Sequence, residues 1–144
     1  MSLKTYDPKK VILAIGGVPI GGYADGTFIT FEKTEDAYSI HSGADGEVAR
    51  AKSNNRTGTF VITLAQTSDS NDVLSALAQL DERANAGVVP ALFKEIGGNT
   101  TVFSGTVWIR KMANIEYGKE ITNREWTIDA AESEVFVGGN QGIF

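Results

Sequence analysis

Between Gly58 and Thr67, in GTFVITLAQT, Phe60, Ile62 and Leu64 alternate with Thr59, Val61 and Thr63. Strand side chains point alternately to two faces, so this spacing requires a β-strand with one deeply buried face, and its β-branched residues suit that state. Just beyond it the period changes. In SDSNDVLSALAQLDERANAG, Val73, Leu77, Leu80 and Ala84 recur at intervals of four, three and four, which only a helix gathers into one stripe. The pattern predicts an α-helix over 70–86 with Val73, Leu77 and Leu80 packed on the sheet. Ser68, Asp69 or Ser70 can cap its free amide groups, Asp72 suits the positive end of its dipole, and Gly87 stands where a left-handed C-terminal residue is wanted.

The remaining strands follow from turn chemistry. Val11 to Ile15 and Val18 to Ile20 flank Gly16-Gly17, a pair able to take the positive φ angles of a two-residue hairpin. Pro19 cannot donate a ladder hydrogen bond, which places that return strand at a sheet edge. Further strands are expected at Thr27 to Glu32, Ala37 to His41, Ala91 to Ile96, Thr100 to Arg110, Ile115 to Tyr117 and Glu125 to Ala130. The tail SEVFVGGNQGIF reads as one short strand followed by a loose end. With no repeat or linker, residues 1–144 are expected to form one mainly β domain, a sandwich or barrel carrying one helix.

One segment does not fit a compact sheet. HSGADGEVARAKSNNRTG, from His41 to Gly58, is far longer than most strand connections. It is a disordered tip, a catalytic or ligand loop, or an arm for another subunit. Asp45, Glu47, Arg50, Lys52 and Arg56 make it a mixed-charge ribbon, which suits salt-bridged contact with a copy of itself better than a catalytic pocket.

Composition narrows the function. The chain has no cysteine and one histidine, His41, so thiolate ligands, disulfides and cysteine nucleophiles are absent and a zinc site would need three carboxylates beside it. No G-x-S-x-G elbow is present. GGVPIGG lacks the lysine and following helix of a phosphate loop, and DSNDV lacks the central glycine and closing glutamate of a calcium loop. The carboxylates Glu32, Glu35 and Asp36, and Asp129, Glu132 and Glu134, read as solvated strand ends. Trp108 and Trp126 sit among apolar alternates and are expected in the core; on an open face they would serve a carbohydrate-binding module. The net charge of -5 argues against holding nucleic acid through its phosphates. MSLKTYDPKK has no apolar core of signal-peptide length and VILAI is too short to cross a bilayer, so a soluble protein is expected. No enzyme activity, cofactor or metal is expected.

The order VILAIGGVPIGGYADGTFITF, then SGADGEVARAKSNNRTGTFVITLAQTSDSNDVLSAL, then NREWTIDAA and a glycine-rich tail resembles the tail tube proteins of tailed bacteriophages, of the contractile-tail kind. The resemblance implies a non-enzymatic β-sandwich whose hexameric rings stack into a hollow tube, with neighbouring sheets joined around a lumen that DNA crosses without specific binding. It further implies sheath, baseplate and tail terminator proteins as partners, no membrane, assembly in the host bacterial cytoplasm and a final place in the virion. By the same analogy 41–58 is a hairpin reaching the adjacent ring, with Glu47 to Lys52 and Asn55 to Thr59 as its sides and Asp45, Glu47, Arg50, Lys52, Asn55 and Arg56 as its contact residues. The alternative that the resemblance leaves is a tube subunit of a phage-derived bacteriocin or a type VI secretion system, which also use hexameric tubes.

Overall fold

The structure, a computed structural model, describes residues 3–140 and the backbone of Gly142 and Ile143. Its strands are β1 (Leu3–Lys4), β2 (Val11–Ile15), β3 (Val18–Pro19), β4 (Ile29–Lys33), β5 (Tyr38–Ser42), β6 (Val48–Lys52), β7 (Gly58–Ala65), β8 (Val89–Glu95), β9 (Thr101–Lys111), β10 (Asn123–Ala130), β11 (Glu134–Phe136) and β12 (Gly142–Ile143). One α-helix, α1 (Ser70–Ala84), interrupts them. The chain is thus mainly β with one helix among the described residues, as the two hydrophobic periods require.

The main sheet runs β3-β2-β8-β9-β10-β7-β4, with β11 extending the β10 edge of β9. Every pairing in it is antiparallel. Leu13 and Ile15 of β2 share one buried cluster with Phe60, Ile62 and Leu64 of β7, although three strands stand between β2 and β7. The sheet therefore curls around its own core, and Leu74 of α1 fills the hollow. Gly16 and Gly17, at φ 61° and 80°, turn β2 into β3 as the glycine pair predicts, and Pro19 does lie on an edge strand. Trp126 is buried in the cluster, and its indole N–H donates to Asn71 Oδ1 at 2.9 Å. Asn71 in turn donates to the carbonyls of Ala65 and Ser68, so the helix start is tied to the end of β7.

Four expectations change. The helix buries Ser70, Leu74 and Ala78, with Leu77 and Val73 half-buried; Leu80 is 48% exposed and Ala84 is open to solvent. Small residues at 70 and 78 let the helix approach the sheet closely, and that rotates Leu80 outward. The helix ends at Ala84 because Asn85, not Gly87, takes the left-handed conformation, at φ 51°. Gly87 is needed for closeness instead: a Cβ there would stand 2.6 Å from the Leu77 carbonyl oxygen and 2.5 Å from Asp81 Cβ.

Ile115 to Tyr117 forms no strand. It lies in an exposed loop whose Glu116 carbonyl is held by the buried Arg124 guanidinium at 3.0 Å and by the Thr122 hydroxyl at 2.8 Å. The tail is not simply loose after β11, since Gly142–Ile143 pairs with Leu3–Lys4; Gln141 and Phe144 lie outside the described residues.

Tyr23 packs on Phe28 with ring centroids 4.7 Å apart, and its hydroxyl is buried with no hydrogen-bond partner among the described residues. Burial pushes its pKa up to about 12. A buried hydroxyl without a partner costs its desolvation, so Tyr23→Phe is expected to raise stability by about 1 kcal/mol in urea unfolding. The native phenol keeps its proton after the unfolded one has begun to lose it, so titration of this group leaves stability unchanged below about pH 10 and lowers it as the pH rises towards about 12. The phenylalanine variant should lack that alkaline decline.

Candidate assembly surface

The chain between β4 and β7 is a hairpin inserted into a hairpin. β4 and β7 are themselves paired, Lys33 opposite Gly58, and the ladder continues one step outward where Thr34 N–H donates to Thr57 O at 3.1 Å. From that root β5 and β6 project as a separate two-stranded ribbon. Its pairs run Tyr38 with Lys52, Ser39 with Ala51, Ile40 with Arg50, His41 with Ala49 and Ser42 with Val48. Every strand residue of the ribbon is exposed.

A projecting hairpin is therefore present, but it is built differently from the sequence expectation. Its sides are Tyr38–Ser42 and Val48–Lys52, and Asn55 to Thr59 is not a partner of Glu47 to Lys52. The alternation that marks a strand is faint in YSIHS because no face of it is buried, which is why its pairing escaped the hydrophobic pattern. Asp45 lies in the tip, where its carboxylate accepts from Glu47 N–H at 3.0 Å and Gly46 turns at φ 84°. Arg50 and Lys52 lie along the ribbon.

Asn55 and Arg56 belong to the root. Asn55 Oδ1 accepts from Thr57 N–H at 3.0 Å and from the Thr57 hydroxyl at 2.7 Å, and that hydroxyl lies 2.8 Å from Thr34 Oγ1. Arg56 and Ser133 exchange two hydrogen bonds, guanidinium to Ser133 O at 3.4 Å and Ser133 hydroxyl to Arg56 O at 3.1 Å. Ser53 N–H closes onto Ala37 O at 2.8 Å. These contacts fix where the ribbon leaves the body.

Beside the root, the outer face of the sheet carries one cross-strand row: Glu32, Thr59, Asp129 and Trp108. Three residues of β9, Ile109 to Lys111, oppose only Thr127 and Ile128 of β10, and the extra one, Arg110, is turned onto Asp129. The guanidinium makes two bonds to that carboxylate, at 2.7 and 2.8 Å. Its hydrogen bonding holds the Asp129 carboxyl below the usual carboxylate range, against the opposing effect of desolvation, with Thr59 assisting. The same bond raises the Arg110 pKa. The row floors an open cleft of about 480 Å³. Trp108 is half-buried there rather than in the core, a correction that follows from its position opposite Asp129 on the solvent side of the sheet.

His41 stands on the arm, away from that cleft, so no nucleophile, base and orienting acid converge there. Among the described residues no three His, Asp or Glu side chains are grouped to hold a metal ion, and no helix is long and apolar enough to cross a membrane. The main sheet ends at β4 on one side, with no strand paired beyond it among the described residues, and at the short β3 on the other, and the β5-β6 ribbon projects from it.

Comparison with known proteins supplies the setting. The structural protein ORF10 of Pseudomonas phage KPP10 is 28% identical over 147 residues, covering 96% of this chain and 85% of that protein. The fold is similar to the tube-terminating cap of the anti-feeding prophage, with a TM-score of 0.57 at 11% identity over 94% of each chain. It is also similar to the sheath/tube terminator of the extracellular contractile injection system PVC, with a TM-score of 0.58 at 7% identity over 92% of this chain and 97% of the other. The family model described as bacteriophage PhiTE tail tube protein matches residues 11–138, nearly the whole described structure, and the chain therefore belongs to that tail tube family.

Proposed function

We propose that this tail tube protein builds hexameric rings that stack into the hollow tube of a virion, and that the arm at Tyr38–Lys52 joins one ring to the next. The observation that carries the reading is the arm itself, a paired ribbon that buries none of its strand residues against its own chain. An isolated two-stranded hairpin gains little stability alone, so its order is best supplied by a neighbour. The bare β4 edge of one subunit against the β3 end of the next would close each ring and remove an exposed pairing surface. An acidic subunit suits a lumen that repels phosphates, letting DNA pass without binding. Sheath, baseplate and terminator proteins are the further partners of such a tube, assembled in the host cytoplasm, and the subunit performs no catalysis.

Negative-stain microscopy and sedimentation of the purified protein test this. Six-membered rings or hollow tubes are expected; a monomer at every concentration overturns the reading.

A further inference from the structure

We propose that the arm is one-sided: it docks on a second copy of this chain through the face bearing Tyr38, Ile40, Val48, Arg50 and Lys52, while the face bearing Ser39, His41, Ala49 and Ala51 stays in solvent. This rests on the arm reading above and adds to it which residues make the contact.

The division follows from register. Residues directly opposite in an antiparallel pair share a face, and successive residues alternate. Tyr38, Ile40 and Ser42 therefore lie with Lys52, Arg50 and Val48 on one side, and Ser39 and His41 with Ala51 and Ala49 on the other. All the large apolar side chains of the ribbon fall on the first side, where Ile40 is 82% and Val48 68% exposed. The second side carries only small residues and one histidine. An arm meant to remain in water has no physical reason to segregate its apolar groups, whereas a docking face does.

Charge selects the occupant. The docking face holds two cations and no carboxylate; the Arg50 guanidinium lies over the Tyr38 ring, 4.0 Å from its centroid, and so is laid along that face. The acids Asp45 and Glu47 offset Arg50 and Lys52 within residues 38–52, so the rest of the chain carries the whole net charge of -5. A cationic, apolar ribbon thus complements the acidic body of another copy. Two cations set beside exposed isoleucine and valine favour such a protein surface over a nucleic acid backbone, which would reward charge alone.

The chain has no cysteine, so single thiols report cleanly. Val48→Cys and Ala49→Cys place a thiol on adjacent residues of opposite faces, and Ser42→Cys repeats the first face without removing an apolar group. Maleimide labelling is measured for the dilute subunit and the assembled protein. On assembly the thiols at 48 and 42 are expected to slow by more than about tenfold and that at 49 by less than about twofold, since access governs the rate. Ile40→Asp and Arg50→Glu should abolish the stacking of rings while Ser39→Asp and Ala51→Asp preserve it, with thermal melts confirming that all four are folded. Equal protection of both faces, or normal tubes from Ile40→Asp, overturns the one-sided arm. Protection that appears on adding DNA rather than on self-association overturns the choice of occupant. If deleting the arm stops stacking while Val48→Cys stays reactive in tubes, the arm reading stands and the one-sided face is wrong; if the deleted protein still stacks, both fail.

Discussion

Replacing Tyr38–Lys52 by a short glycine-serine turn between Ala37 and Ser53 is expected to give a folded, soluble subunit that no longer stacks. The two flanking residues are already joined by the Ser53 to Ala37 backbone bond, so a turn spans the gap without moving the root. The latch formed by Asn55, Thr57 and Thr34, and the Arg56–Ser133 pair, remain in place. Loop closure costs only about 0.6 kcal/mol per doubling of length, so a shorter connection leaves body stability the same or slightly higher. Circular dichroism should show an intact sheet, and sedimentation should show no species beyond single rings. Tubes of normal length from this variant would mean that the ribbon is a tolerated surface loop.

The second large effect lies in the helix. Leu74 is fully buried against the sheet, and truncating a leucine in such a place loses its transfer energy and leaves a cavity, so Leu74→Ala should cost about 2–5 kcal/mol. Leu80→Ala removes a side chain that is half in water, and should stay within about 0.5 kcal/mol for the free subunit. Urea unfolding of the two variants separates the buried stripe Ser70–Leu74–Ala78 from the more apolar stripe Val73–Leu77–Leu80. Equal losses at 74 and 80 would refute that orientation.

That helix shows where the sequence stops being informative. The alternation in β7 could be read because half of its side chains are driven inward, and the Gly16-Gly17 hairpin because its backbone angles favour glycine. Both signals are local. Which stripe of α1 meets the sheet depends instead on how closely two backbones approach, and Ser70 and Ala78, unremarkable by hydrophobicity, decide it. Ile115 to Tyr117 has strand-like residues but no partner strand among the described residues, and pairing is not visible in a single segment. In the candidate surface, the location of a projecting hairpin and the positions of Arg50 and Lys52 on it were legible from length and charge. Tyr38, Ile40 and Val48 were missed because they flank the charged segment or hide within it; aligning YSIHS against VARAK across the GADGE turn is the signal that finds them. Asn55 and Arg56 look like arm residues by composition, and only the fold assigns them to the root.

The order of the main sheet also sets a timetable for synthesis. Its three middle strands, β8, β9 and β10, come from the later half of the chain, while β2 on one side and β7 with β4 on the other come from the earlier half. As the polypeptide leaves the ribosome, the β2–β3 and β4–β7 hairpins emerge first with Leu13, Ile15, Phe60 and Ile62 uncovered. No core can close between them until Ala130 has appeared. Non-local pairing of this kind slows folding and lengthens the time during which apolar strands are exposed. Nascent chains arrested before β10 should therefore be protease-sensitive and chaperone-bound, and should turn compact only when that strand clears the exit tunnel.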